Sequence, residues 1–181
     1  MRIVQFGLPY SPNVGDGVIA DCLAHEIRAQ VPGAEVLSVD LSGRTGVGAV
    51  TVRNRSRALR VLGALPRPAR HAAVRARLGR MLGRVAPDWA AALDGADLAV
   101  IGGGQLFSDA DLNFPLKVAQ AARLIADAGC PAAIHAVGVS RNWTAPGAAL
   151  FAEVFAADLR AVGVRDRPSQ EAWAAQRSEE H

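Results

Sequence analysis

Apolar positions follow two rhythms along this chain. Residues 2–6, 35–39, 98–101, 132–139 and 160–164 are short apolar-rich runs that read as strands, and residues 98–101 have the continuous pattern of one buried on both faces of a parallel sheet. Between them the spacing changes to three and four. Val18, Ile19, Cys22, Leu23 and Ile27 form one stripe of a helix that begins near Asp16 and stops at Pro32-Gly33, with Asp21, His25 and Arg28 off the stripe. A helical pattern from Ser56 breaks at Pro66 and Pro68 and resumes with Val74, Leu78, Met81, Leu82 and Val85 on one stripe. Pro87 opens a further short helix that ends at Asp94-Gly95. An alanine-rich helix is predicted over residues 113–127, closing at Gly129. Another follows Pro146-Gly147, with Leu150, Phe151, Val154 and Phe155 on its core face, and Pro168 fits the first turn of a last one.

Strand and helix alternate, which predicts an α/β fold: a Rossmann-like, doubly wound, mainly parallel sheet of about five or six strands. Residues 1–176 read as a single domain and 177–181 as a solvated, fraying tail. Residues 42–52 are glycine-rich, with Val50 and Val52 alternating as in a short strand. The arginine-rich stretch 53–86 interrupts the rhythm and reads as an inserted helical pair beside the sheet.

Charge sharpens this picture. Between Leu41 and Pro87 there are eleven arginines and no Asp or Glu, so the net charge of +3 conceals a basic segment on an acidic body. Arg70, Arg77, Arg80 and Arg84 share the face opposite the apolar stripe, where they can touch an anionic ligand or membrane surface. No aromatic residues interleave with them for base stacking, so nucleic acid is not an expected partner. No run approaches the roughly 18 apolar residues of a membrane span, and the chain enters a strand at once, without the pattern of a signal peptide. Cys22 and Cys130 lie in apolar surroundings without metal-ligand spacing and read as buried free thiols of a reducing cytoplasm.

Candidate chemistry gathers around Gly102, Gly103 and Gly104. Three glycines at the end of a buried strand let the backbone turn where no Cβ fits, and in an open parallel sheet ligands bind beyond such carboxyl ends. The amides of Gly103 and Gly104, and those of residues 138–140 one strand over, are candidates to line an anion or sugar pocket. Asp16 is the candidate carboxylate, held at a helix start beside the sheet edge; capping that helix is its alternative role. Asn13 and Gly15 shape the turn before it. Ser140 and Arg141 follow the fourth strand directly. Arg165 and Asp166 read as a local pair fixing the last turn, with Ser169 as a helix cap, and His135 as a core histidine with a backbone partner. Asp109 and Asp111 have no His or Cys beside them, so no metal site is expected.

Three stretches together carry a resemblance: Asn13-Val14-Gly15-Asp16; residues 96–104, ending in the triple glycine; and residues 137–141 followed by 164–169. In this order and spacing they resemble the N-terminal half of the polysaccharide pyruvyl transferase family. The resemblance implies one half of a GT-B-type transferase, two Rossmann-like domains facing each other. It implies transfer of a pyruvyl group from phosphoenolpyruvate onto sugar hydroxyls as a ketal, in exopolysaccharide biosynthesis at the cytoplasmic side of the membrane. The donor is a substrate and no cofactor is expected. The acceptor would be a sugar, free or carried on lipid or nucleotide, with Asp16 as the catalytic carboxylate and Asn13, Gly15, the triple glycine, Ser140 and Arg141 around the substrates. The family's second domain lies beyond this chain, so a partner domain is implied, and a non-catalytic binding half is a competing reading.

Another competing reading is a dinucleotide site. Residues 15–20 fit Gly-x-Gly-x-x-Ala, and Asp40 ends the second strand where a ribose-binding acid belongs. Against it, residues 7–14 separate the motif from the first strand, and Asp16 would face pyrophosphate.

Overall fold

The computed structural model describes residues 1–46 and 63–178, apart from the side chains of Arg177 and Ser178. The five apolar runs pair as strands: β1 (Arg2–Gly7), β2 (Glu35–Asp40), β3 (Leu98–Gly102), β4 (Ala132–Val137) and β5 (Leu159–Val164). All pairs are parallel and the order is β2-β1-β3-β4-β5. The chain leaves β1 for β2 and then returns past β1 to β3. That reversal places the switch point, where such sheets bind ligands, between β1 and β3.

Helices connect the strands. They are α1 (Val14–Gln30), α2 (Arg67–Leu93), α3 (Asn113–Asp127), α4 (Ala145–Phe151) with a 3-10 turn at Ala152–Ala156, and α5 (Arg167–Ser178). Alternation along β1 separates two cores on opposite faces of the sheet. Val4, Phe6, Ala99, Ile101 and Ile134 pack against Leu82 and Trp89 of α2, Val118 and Ile125 of α3 and Phe151 of α4. Ile3 and Val100 form the smaller core with Leu23 of α1. Phe6 meets Trp89 edge-on at 5.7 Å, and Phe107 sits 4.9 Å from Phe151 and 5.1 Å from Trp173. These aromatic contacts fasten α2 and the end of the chain to the sheet.

The α/β doubly wound sheet agrees with the sequence, and α3 has the predicted bounds. Several expectations need correction. The predicted stripe of α1 is rotated: Ala20, Leu23 and Ala24 are buried, whereas Val14, Val18, Ile19 and Cys22 are exposed. The cause is close approach, since a Cβ on Gly102 would collide with Leu23 and one on Gly103 would lie 2.5 Å from Ile19 Cγ2. Cys130 is buried as expected.

Of the arginine-rich segment 53–86, residues 53–62 lie outside the described residues; the rest follows β2 and leads to β3, and α2 runs unbroken through Pro87, because Pro87 and Gly83, one turn apart, are both exposed and the unbonded carbonyl lies on the solvent side. Phe155 is 38% exposed, since the helix tightens to a 3-10 turn after Phe151 and rotates it outward. His135 is exposed too, on the face of β4 that no described helix covers. α5 continues through Ser178, while residues 179–181 and the expected strand at Val50 and Val52 lie outside the described residues.

Candidate functional site

At the carboxyl end of β1 the chain turns through residues 8–13 before α1. Asn13 is the N-cap, with its Oδ1 accepting from the Gly15 amide at 3.3 Å. This leaves Asp16 in the first turn and free of the capping role. Its Oδ2 accepts from the Ser11 hydroxyl at 2.7 Å, and Ser11 Oγ in turn accepts from the Asn13 amide at 3.2 Å. The chain of bonds fixes the carboxylate beside the first turn of α1. Ser11 is a site residue that the sequence does not single out, because its bond to Asp16 depends on how the loop after β1 folds.

Across the switch point, Gly103 and Gly104 take φ of 74° and 70°, a region that glycine alone enters freely. A Cβ on Gly104 would stand 3.9 Å from Asp16 Oδ1, so the open side of the turn faces the carboxylate. Gln105 follows. Its Nε2 donates to Ser140 Oγ at 2.9 Å, and its Oε1 accepts from Arg165 at 3.2 Å. Arg165 also holds Asp166, whose carboxyl is lowered from 3.8 to about 2 by hydrogen bonds from Ser169 and Arg165. Thus β1, β3, β4 and β5 contribute to one edge: Asp16, the glycine turn, Gln105, Ser140 and the half-exposed Arg165. Gln105 and its bond to Arg165 join residues sixty positions apart, which spacing along a sequence does not reveal.

The amides expected to line an anion pocket are mostly engaged. Gly103 N donates to His135 O at 3.0 Å, Gly138 N to Gly104 O at 2.7 Å, Val139 N to Ser169 Oγ at 3.1 Å and Ser140 N to Phe107 O at 3.0 Å. They extend the sheet past its strands, through the Phe107 and Val139 bridge, and have no donor left for a ligand. Ser169 therefore serves Val139 with its hydroxyl, and Asp166 Oδ1 takes the Ser169 amide at 2.8 Å, so Asp166 does the capping expected of Ser169. Arg141 is exposed and pairs with Glu171 of α5 at 3.3 Å.

Asp109 is buried and tied into structure: its carboxylate accepts from Leu112 N, Thr144 N and Thr144 Oγ1. Asp111 pairs with Arg70 at 3.3 Å. Arg70 is thereby separated in role from Arg77, Arg80 and Arg84, which are exposed along α2. Among the described residues no group of three His, Cys, Asp or Glu could hold a metal. The dinucleotide reading loses its ribose acid, because Asp40 is 2% exposed and its oxygens accept from the Tyr10 and Ser42 amides.

A carboxylate, a glycine turn and an arginine set along the carboxyl ends of a parallel sheet define a Rossmann-like α/β protein with its candidate site at the switch point. Residues 13–177 match the family described as polysaccharide pyruvyl transferase, and the chain belongs to that family. No curated protein matches it. Among solved structures, azoreductase from Bacillus anthracis str. Sterne is similar at 14% identity with a TM-score of 0.42, over 99% of this chain and 96% of that one.

Proposed function

We propose that the cleft between Asp16 and Arg165 takes part in moving a pyruvyl group from phosphoenolpyruvate onto two hydroxyls of a sugar, for cell-surface polysaccharide. The observation that carries this reading is the Asp16 carboxylate, braced by Ser11 and facing the open side of the Gly103-Gly104 turn. Ketal formation requires a proton on the methylene carbon of the donor, attack of two hydroxyl oxygens on its central carbon, and departure of inorganic phosphate. Asp16 accepts a proton from an attacking hydroxyl. Asn13, Gly15 and Gly102–Gly104 shape the acceptor's berth, with Ser140 at its far side. Arg165 supplies positive charge toward the donor, joined by Arg141 once its exposed pair with Glu171 opens. The family's second domain completes the cleft and contributes the remaining charge.

The acceptor is a saccharide, free or carried on a lipid or a nucleotide. Arg77, Arg80 and Arg84 lie exposed on α2 and hold the protein at the anionic inner face of the membrane, on the cytoplasmic side. No described helix is long and apolar enough to cross it. The test is release of phosphate from phosphoenolpyruvate by the native gene product, with and without polysaccharide-precursor saccharides. Acceptor-dependent release that yields a pyruvyl ketal supports the reading. Release with no ketal, or none with any acceptor, overturns it.

A further inference from the structure

Lys117 is singular in composition and in placement. It is the one lysine among twenty basic residues, and it is 6% exposed. An ammonium is a compact charge that burial can neutralise, whereas a guanidinium stays charged. Its Nζ donates to Ser42 Oγ at 2.9 Å and lies 5.3 Å from the centre of the Phe114 ring. Ser42 sits in the tight turn after β2, where Gly43 N donates to Asp40 O at 2.8 Å and Gly43 takes a φ of 69°.

That turn presents Arg44. Asp40 is buried and already accepts from two amides, and it meets Arg44 only at 3.6 Å. The Arg44 guanidinium is 30% exposed and is hydrogen-bonded to none of the described residues. Tyr10, Asp40 and Arg44 line a cavity of about 280 Å³ whose apolar wall includes Val39, Val85 and Trp89.

We propose that this cavity is an oxyanion-binding site, in which Arg44 touches a phosphate or carboxylate group of a small ligand and Lys117, through Ser42, positions the turn that presents it. The proposal is independent of the transfer reaction above. Burial, with Arg44 behind it, lowers Lys117 to about 8, and Asp40 works against both. An anion beside Arg44 offsets the positive field that Lys117 feels, so binding and protonation favour each other. Among the described residues, the charged and titratable groups that bear on this arrangement are Arg44 from the turn, Asp40 at the end of β2, Tyr10 from the loop after β1, and the exposed Asp88 of α2 beside the cavity. Asp88 opposes an anion, so Asp88→Asn strengthens binding.

A protein with one lysine gives one lysine side-chain signal when grown with lysine labelled at Cε. Inorganic phosphate and acetate are titrated separately into the native product while that signal is followed from about pH 6.5 to about pH 9.5, across the shifted lysine range. The expected result is a saturable shift with at least one anion, with affinity falling at least about threefold as pH rises through the Lys117 midpoint. Saturation also moves that midpoint upward. Response to phosphate alone assigns a phosphoryl ligand, and response to acetate alone a carboxylate. Arg44→Gln removes the binding yet raises the Lys117 midpoint in the free protein, which shows that the variant is folded. Lys117→Met carries no labelled signal and is followed by isothermal titration calorimetry with the same anion, where it weakens binding and removes the lysine-linked part of its pH dependence; if that variant fails to fold, Arg44→Gln decides. No saturable shift with either anion, or one unchanged by Arg44→Gln, overturns the proposal.

Discussion

Gly103 holds the candidate cleft open by what it lacks. Its φ of 74° and the place of Ile19 leave no room for a methyl group, so Gly103→Ala strains the backbone and presses on α1. Urea denaturation should show a loss of about 1–3 kcal/mol, and a loss near zero would mean that α1 yields freely. Asp166 offers a test through pH. Its carboxyl is lowered from 3.8 to about 2, so its contribution to stability is present above the unfolded value and is lost as pH falls through the folded one. The stability difference between the native protein and Asp166→Asn should therefore be constant above about pH 5 and shrink between about pH 4 and pH 2. A difference that does not change with pH would contradict the assigned bonds to Ser169 and Arg165.

Elements explain what the sequence could and could not disclose. β1 and β3 were legible because a parallel strand buried on both faces needs a continuous apolar run, and the more exposed β2, β4 and β5 through short apolar runs set between helical patterns. The core side of α2 was legible in the same way, through Leu82 and its half-buried neighbours Leu78, Met81 and Val85. The orientation of α1 was not, because it depends on how closely two glycines in β3 and its turn let the helix approach. Of the site, Asp16 and the glycine turn were visible, but the brace from Ser11 and the chain from Gln105 to Arg165 exist only after folding. Likewise, the amides expected for ligands were claimed by the extension of the sheet beyond β3 and β4. Pro87 makes a prediction at this scale. Since α2 passes through it at an exposed position, Pro87→Ala restores a helical hydrogen bond and should raise stability by up to about 3 kcal/mol in chemical denaturation. No gain, or a loss, would show that the proline serves a packing role.

The whole molecule is asymmetric in cover and in charge. One face of the sheet carries α2, α3 and α4, whereas the described part of the other carries α1 and leaves His135 and Ala161 exposed. Basic residues concentrate on α2. If they hold the protein at a membrane, replacing Arg77, Arg80 and Arg84 together by Gln should weaken binding to anionic vesicles by roughly 100-fold at low salt, on the basis of about 1 kcal/mol per arginine. Arg70 is left in place because it is paired with Asp111. Binding that persists unchanged in the triple variant would remove the membrane role. The central claim, that the carboxylate facing the glycine turn works on the sugar hydroxyl, rests on a single side chain. The most direct measurement is the rate of ketal formation from phosphoenolpyruvate by the native gene product and by its Asp16→Asn variant. Loss of a general base predicts a kcat lower by about 10²–10⁴-fold with the fold retained; a variant as fast as the native protein would contradict the account.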